Sequence, residues 1–341
     1  MNKIFIIYTG GTIGMVRDKR TGSFVPFNFE LIERNLPDLH RLNYKITVHS
    51  FDQIIDSSNM EENIWLKMAQ LIKKNHDKYD GFLILHGSDT MAFSASILSF
   101  LLEGLQKPVI LSGSQLSIGE IRTDARENLL TALEIAAAKE NNRSIIQEVC
   151  ILFNNKLFRG NRAFKYHAEK FEAFRSPDYP LLAEAGIHIK INKNVLLDNS
   201  GKNFIVHNKI DNQVGVLKLY PGINEHVVHN VLSANVRSIV LESFGTGNTM
   251  THPWFHRALE AAIAKGKNIL NITQCKVGSV EMGLYETSHE LRSIGVLNGH
   301  DMTFEAAITK LMYLQGKHKN QKDVAYWVEK NIRGELSSPL S

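Results

Sequence analysis

Two kinds of pattern alternate along this chain of 341 residues. Apolar runs at Lys3 to Tyr8, Lys45 to Phe51, Gly81 to Leu85, Val109 to Ser112 and Glu148 to Phe153 are nearly continuous. A strand with one wet face would be polar at every second residue, so these runs predict strands covered on both faces, as in a parallel sheet. Between them lie stretches with helical spacing: "NMEENIWLKMAQLIKK", "TMAFSASILSFLLEG" and "DARENLLTALEIAAAKE". Asn59 with Glu62, and Asp124 with Glu127, have the spacing of a capping box, and Gly104 supplies a stop for the middle helix. Strands alternating with helices predict a mostly parallel sheet flanked by helices.

The segment "FNNKLFRG" breaks the alternation, because Asn154 and Asn155 suit the left-handed turn of an antiparallel hairpin. A polar stretch, Lys190 to Asn203, then reads as a linker. The alternation resumes with strands at Val214 to Leu219, Ser238 to Leu241 and Asn268 to Thr273, and helices at Glu225 to Ala234, Trp254 to Lys265, Thr303 to Leu314 and Asp323 to Ile332. The predicted organisation is a larger N-terminal α/β domain over residues 1–190, a linker over 191–212 and a smaller C-terminal α/β domain over 213–341.

Composition narrows the function classes. Apolar residues make up 43% and charged residues 22%, which is ordinary for a soluble globular chain and excludes disorder. Lys and Arg exceed Asp and Glu only by 39 to 35, with signs interspersed, which argues against a nucleic-acid partner. The densest basic stretch, Gly316 to Asp323, reads as a solvated helix connection. Cys150 and Cys275 lie in apparent strands far apart, giving no disulfide framework, and none of the 14 His residues has metal-ligand spacing. The apolar run after Met1 is too short for a signal segment and no stretch approaches 18 apolar residues, so a cytoplasmic protein without membrane contact is predicted.

Candidate chemistry collects at one edge of this plan. In an open α/β sheet, ligands bind where strands end and helix N-termini offer free N–H groups. Three loops fall there: Thr9 to Gly14, Asp56-Ser57-Ser58, and His86-Gly87-Ser88-Asp89-Thr90. Hydroxyls and carboxylates on one rim suit acyl transfer, which needs a nucleophile, a proton acceptor and donors for an oxyanion. Each motif also has a purely structural reading. Gly10-Gly11-Thr12-Ile13-Gly14 makes a plain turn, and it has neither the ending of a phosphate loop nor the GxGxxG spacing of a dinucleotide site. Ser88-Asp89-Thr90 and Asp56-Ser57-Ser58-Asn59 each suit a helix start.

The stretches "YTGGTIG", "DGFLILHGSDTMAFSASILSF", "PVILSGSQ", "RGNRAFKYHAE", "NITQC" and "DMTFEAAITKL" together resemble the L-asparaginase family, specifically the bacterial type I cytoplasmic enzymes. The likeness runs nearly end to end, and the two Gly/Thr motifs, in order and about 75 residues apart, carry it. The resemblance implies hydrolysis of L-asparagine to L-aspartate and ammonia without metal or organic cofactor. It implies Thr12 as nucleophile in the loop with Gly11, and a Ser88, Asp89, Lys165 group beside it, with Ser88 where the family usually has a second threonine. An amino-acid substrate presents an ammonium and a carboxylate that are costly to bury unpaired. Asp89 suits the ammonium, and Ser57, flanked by Asp56 and Ser58, suits the carboxylate. Backbone groups near Gly87, Ser88 and Ser114 are implied as amide and oxyanion contacts, Ser114 having a turn residue as its plain alternative.

Two departures from the family stand out. Relatives usually carry a tyrosine in a mobile loop, in a stretch like Gly-Tyr-Ile-Pro, that closes over the substrate; here "SFVP" puts Phe24 there, a possible lid without a phenolic proton. Some type I relatives are activated by asparagine at a second site using an arginine and a cysteine like Cys275. Here "IVLESFGTGN" has Glu242 in the arginine's place, predicting that this control is absent or altered. The family further implies an active site completed by a neighbouring subunit, hence a homodimer or dimer of dimers, with "GTGN" at Gly245 to Asn248 as a contributor.

An asparagine amidohydrolase is therefore the expected function. Phe24 and Ser88 motivate an alternative, a catalytically weak or inactive asparagine/aspartate-binding sensor of the same fold. The amidase subunit of a tRNA-dependent amidotransferase would need an added N-terminal domain, and Thr12 is only twelve residues in. A dehydrogenase is disfavoured by the missing GxGxxG.

Overall fold

A computed structural model describes residues 1–17, 21, 24–26, 39, 44–283 and 286–337, with the backbone alone for residues 16–17, 24–26 and 286–288. The chain divides into two units, Met1–Asn208 and Lys209–Ser341.

Unit 1 is built on an eight-stranded sheet. Its strands are β1 (Asn2–Tyr8), β2 (Tyr44–Ser50), β3 (Gly81–Leu85), β4 (Val109–Ser112), β5 (Val149–Phe153), β6 (Lys156–Arg159), β7 (Ala183–Ala185) and β8 (Ile189–Ile191), in the order β8-β7-β6-β5-β4-β3-β1-β2. The strands from β2 to β5 in that row are parallel, and β6, β7 and β8 are antiparallel additions. The continuous apolar runs are explained by burial: every residue of β3, β4 and β5 is buried. Helices α1 (Glu62–Asn75), α2 (Met91–Leu101) and α3 (Ala125–Ala137) follow β2, β3 and β4. Leu129, Ala132, Leu133 and Ala136 of α3 recur at helical spacing and pack on Ile4, Ile6, Leu83, Leu85 and Ile110. Each large aliphatic side chain so buried contributes about 1.5 to 3 kcal/mol. Asn154 and Asn155, at φ 48° and 64°, make the hairpin turn between β5 and β6 as their left-handed tolerance predicted.

The capping boxes do not form as the spacing predicted. Asn59 lies in a 3-10 turn, Ser57–Asn59, whose own N-cap is Asp56, and α1 begins later with Glu61 as N-cap. Asp124 occupies the N-cap position of α3 without a capping hydrogen bond, because its carboxylate is committed elsewhere. Residues 191–208, read as linker, stay with unit 1: Asn199 donates to the carbonyls of Leu105 and Gln147, and Val206 pairs with Leu102. Polar side chains that bond the flanking loops account for their composition.

Unit 2 has four parallel strands, β9 (Val214–Lys218), β10 (Ser238–Ser243), β11 (Asn268–Thr273) and β12 (Leu297–Asn298), in sequential order. Around them lie α4 (Glu225–Ser233), α5 (Pro253–Ala264), α6 (Glu286–Ser293), α7 (Phe304–Lys317) and α8 (Gln321–Val328). Helix α6 is mostly polar in sequence, with Leu291 its one apolar residue, too little to mark a helix from the sequence.

Candidate active site

The three loops predicted from the sequence meet beyond the carboxyl ends of β1, β2 and β3. Gly11 has φ 91°, and a Cβ built on it would stand 2.5 Å from the backbone nitrogen of Gly87, so the first and third loops touch backbone to backbone. A Cβ on Gly87 would in turn lie 2.5 Å from Ser57 Oγ, which brings in the second loop. Thr90 Oγ1 donates to the carbonyl of Ser57 at 2.7 Å, fixing this meeting point. Thr12, next to Gly11, is exposed at the start of the 3-10 turn Thr12–Gly14. That turn is braced from below: the Tyr8 hydroxyl donates to the carbonyl of Gly14 at 3.0 Å. Burial pushes the Tyr8 phenol up to about 12, so it remains a donor at any working pH.

Behind the third loop lies a buried polar chain. Trp65 Nε1 donates to Ser94 Oγ at 2.8 Å, Ser94 Oγ lies 2.8 Å from His86 Nε2, and His86 Nδ1 lies 2.6 Å from the carbonyl of Gly87. A carbonyl can only accept, so Nδ1 carries the proton and Nε2 accepts from Ser94. Burial pushes His86 down to about 4, keeping the imidazole neutral and this donor order intact.

Lys165 reaches the same loop from a distant part of the chain. It lies on a short strand, Phe164–Lys165, paired antiparallel with Phe174–Arg175. Its Nζ is 2.9 Å from Ser88 Oγ and 2.5 Å from Asp89 Oδ1, so the Ser88, Asp89, Lys165 group assembles as a unit. The ammonium is mostly enclosed, at 19% exposure, and Asp89 is open to solvent at 65%. An ion pair that exposed contributes little stability, and its cost in side-chain order points to a positioning use.

The remaining residues fall as follows. Ser57 is buried, with its hydroxyl against Gly87. Asp56 Oδ1 accepts from the backbone N–H of Ser58 at 3.0 Å and from its hydroxyl at 2.7 Å, and these bonds hold the Asp56 carboxyl below the usual range. The Ser114 hydroxyl donates to the carbonyl of Leu116 at 2.5 Å, which makes that side chain part of a turn and leaves its backbone for other contacts. Phe24 lies on a strand, Phe24–Pro26, paired with Met15–Arg17, but its side chain is outside the described residues. In unit 2, Glu242 is the next-to-last residue of β10, buried, with Lys218 Nζ 3.4 Å away, Cys275 is exposed, and Gly245 to Asn248 form a turn closed by a bridge between Phe244 and Asn248.

Sequence reasoning missed four supporting residues. The Asp124 carboxylate accepts the backbone N–H groups of Gln115 and Leu116, and Asn128 Nδ2 donates to the carbonyl of Gly113 at 2.9 Å, so α3 grips the loop around Ser114. Gln115 donates onward to Ala168 and Lys170. His86 was noted only as part of its loop. Of the four, only His86 has a local signal, a polar residue beside glycine at the end of an apolar run; Gln115, Asp124 and Asn128 have none.

Residues 3–197 match the family described as Asparaginase, N-terminal, and residues 213–327 match the Glutaminase/Asparaginase C-terminal domain. L-asparaginase 1 of Escherichia coli (strain K12) is 43% identical over 338 residues, covering 98% of each chain. The crystal structure of L-asparaginase I from Vibrio cholerae superposes with a TM-score of 0.90 at 41% identity, covering 99% of both chains. The thermostable L-asparaginase from Thermococcus kodakarensis gives a TM-score of 0.90 at 28% identity over 98% of this chain and 99% of its own. With both domains matched in order and over nearly the full length, the chain belongs to the asparaginase family.

Proposed function

We infer that this protein hydrolyses the side-chain amide of L-asparagine, releasing L-aspartate and ammonia. The observation that carries the reading is Lys165 bonded to both Ser88 and Asp89, on the loop whose Gly87 touches Gly11 beside Thr12. Thr12 Oγ1 attacks the amide carbon and loses its proton; the C–N bond breaks, ammonia leaves with that proton, and an acyl ester remains on Thr12. Water then cleaves the ester, regenerating the hydroxyl and forming the aspartate carboxyl. Ser88 Oγ lies 2.9 Å from Lys165 Nζ, so it can take the proton lost by Thr12 while its own hydroxyl proton, turned toward Nζ, passes to the lysine nitrogen. Asp89, exposed beside this group, meets the substrate ammonium, and Ser57 with the 3-10 turn behind it meets the carboxylate. Backbone groups at Gly11, Gly87, Ser88 and Ser114 serve the reacting amide, with Asp56 and Ser58 shaping the Ser57 turn.

The same reading places the protein in the cytoplasm as a homo-oligomer. Two free cysteines, one of them exposed, suit a reducing compartment, and among the described residues no helix is long and apolar enough to cross a membrane. The family resemblance supplies the expectation that a neighbouring subunit completes the site.

The test is steady-state ammonia release with L-asparagine and L-glutamine for the wild type and Thr12→Ala. Saturable turnover of asparagine that falls at least about a thousandfold in Thr12→Ala is expected for a lost nucleophile. Asparagine binding by calorimetry without turnover in the wild type would sink the enzyme reading.

A further inference from the structure

Lys165 is held in place by a chain of contacts that starts far from the reacting groups. The strand pair Phe164–Lys165 and Phe174–Arg175 closes through a turn in which Tyr166 N and His167 N both donate to the carbonyl of Ala173, at 2.7 and 3.2 Å. The middle of that turn is exposed, and no regular ladder orders it. Lys156 pairs with Glu172 at 2.6 Å and Arg175 stacks over Tyr166 at its two ends, and two side chains bond the backbone between them. His167 Nδ1 accepts the N–H groups of Glu169 and Lys170 at 3.0 and 3.1 Å. From the loop around Ser114, Gln115 Nε2 donates to the carbonyls of Ala168 at 3.0 Å and Lys170 at 2.9 Å.

Gln115 is itself fixed. Its backbone N–H points at the Asp124 carboxylate, 3.1 Å from Oδ1 and 3.0 Å from Oδ2, and Leu116 N adds a third bond at 3.1 Å. Asn128 Nδ2 bonds both Asp124 Oδ2, at 3.2 Å, and the carbonyl of Gly113. Both donors of one amide group are thus spent on a turn 53 and 55 residues away, from a loop anchored on α3.

We propose that Gln115 is a positioning residue for Lys165, with Asp124 as its anchor: its amide clamps the Ala168 and Lys170 carbonyls and so sets where the ammonium meets Ser88 and Asp89. This rests on the reading of Lys165 as part of the catalytic group. A catalytic group displaced by about 1 Å loses up to about a hundredfold in rate, and a clamp released at one end allows a smaller displacement.

The experiment compares Gln115→Met, which keeps about the length of the side chain and removes its amide with both donors, in the wild-type and in the Lys165→Met background. With asparagine as substrate, Gln115→Met is expected to lower kcat about tenfold, leave KM within about twofold and shift the pH-rate profile, because the affected contact is made by the ionisable group. In Lys165→Met the same substitution is expected to change kcat by less than about twofold, since the group it positions is gone. An equal loss in both backgrounds would assign Gln115 to the fold and overturn the proposal, as would an unchanged kcat in the first. Full turnover by Lys165→Met would instead remove the assignment of Lys165 itself, and the proposal with it. Asp124→Asn, which weakens the anchor, is expected to reproduce the Gln115→Met pattern in a milder form.

Discussion

Lys310 and Glu335 form an ion pair shut off from solvent: Nζ lies 2.5 Å from Oε1, and neither side chain has any exposure. Lys310 also donates to the carbonyls of Val328 and Lys330 at 2.7 and 2.6 Å, and Glu335 accepts the N–H groups of Ile332 and Arg333. One lysine on α7 therefore holds the segment that follows α8. Lys310→Met leaves the carboxylate buried without its cation and is expected to cost about 3 to 5 kcal/mol. Lys310→Met with Glu335→Gln, which removes both charges, is expected to recover part of that. Urea unfolding curves of the three proteins check this, and a single variant as stable as the double one would contradict it.

His86 predicts a pH dependence of stability with a defined window. Burial holds its folded-state pKa near about 4, against 6.5 ordinarily. Above 6.5 neither state is protonated and the stabilisation is fully present. As the pH falls from about 6.5 to about 4, the unfolded chain takes a proton that the folded chain refuses, so stability falls by up to about 3 kcal/mol. Below about 4 this group adds no further loss. His86→Gln removes the titration, so the difference between the two proteins in unfolding free energy is expected to change across that window. A constant difference would show that His86 does not stay neutral in the fold.

The sequence carried most of this architecture, for physical reasons that also mark its limits. Fully buried strands such as β3 and β5 have to be apolar throughout, and the Asn154-Asn155 turn needs residues that tolerate positive φ, so both are legible locally. Gly11 was legible as a close approach, although not what it approaches. Asp124 misled, because a carboxylate three residues before a glutamate has the same spacing whether it caps its own helix or reaches back to Gln115 and Leu116. The Gln115 clamp has no periodic signature at all, since its partners lie in a turn more than fifty residues on. The group at Lys165 was named through family resemblance; spacing alone could not have brought it to Ser88.

Glu242 carries the last prediction, on the shape of the velocity curve. It is the next-to-last residue of β10, at 8% exposure, with Lys218 Nζ 3.4 Å away and Gln274 donating to its backbone carbonyl at 2.8 Å. The resemblance to type I enzymes implies an arginine at this position in those relatives that asparagine activates, there to attract the carboxylate of the activating asparagine. Two like charges about 4 Å apart at a partly shielded surface repel by about 4 kcal/mol, a loss on the order of a thousandfold in affinity. Lys218 offsets part of that, but it is 60% exposed and already faces Glu242, so screening leaves it a weak substitute. Initial rates against asparagine concentration are therefore expected to be hyperbolic, with a Hill coefficient near one. A sigmoidal curve that persists in Glu242→Gln would show that an activating asparagine binds without any basic residue at this strand end.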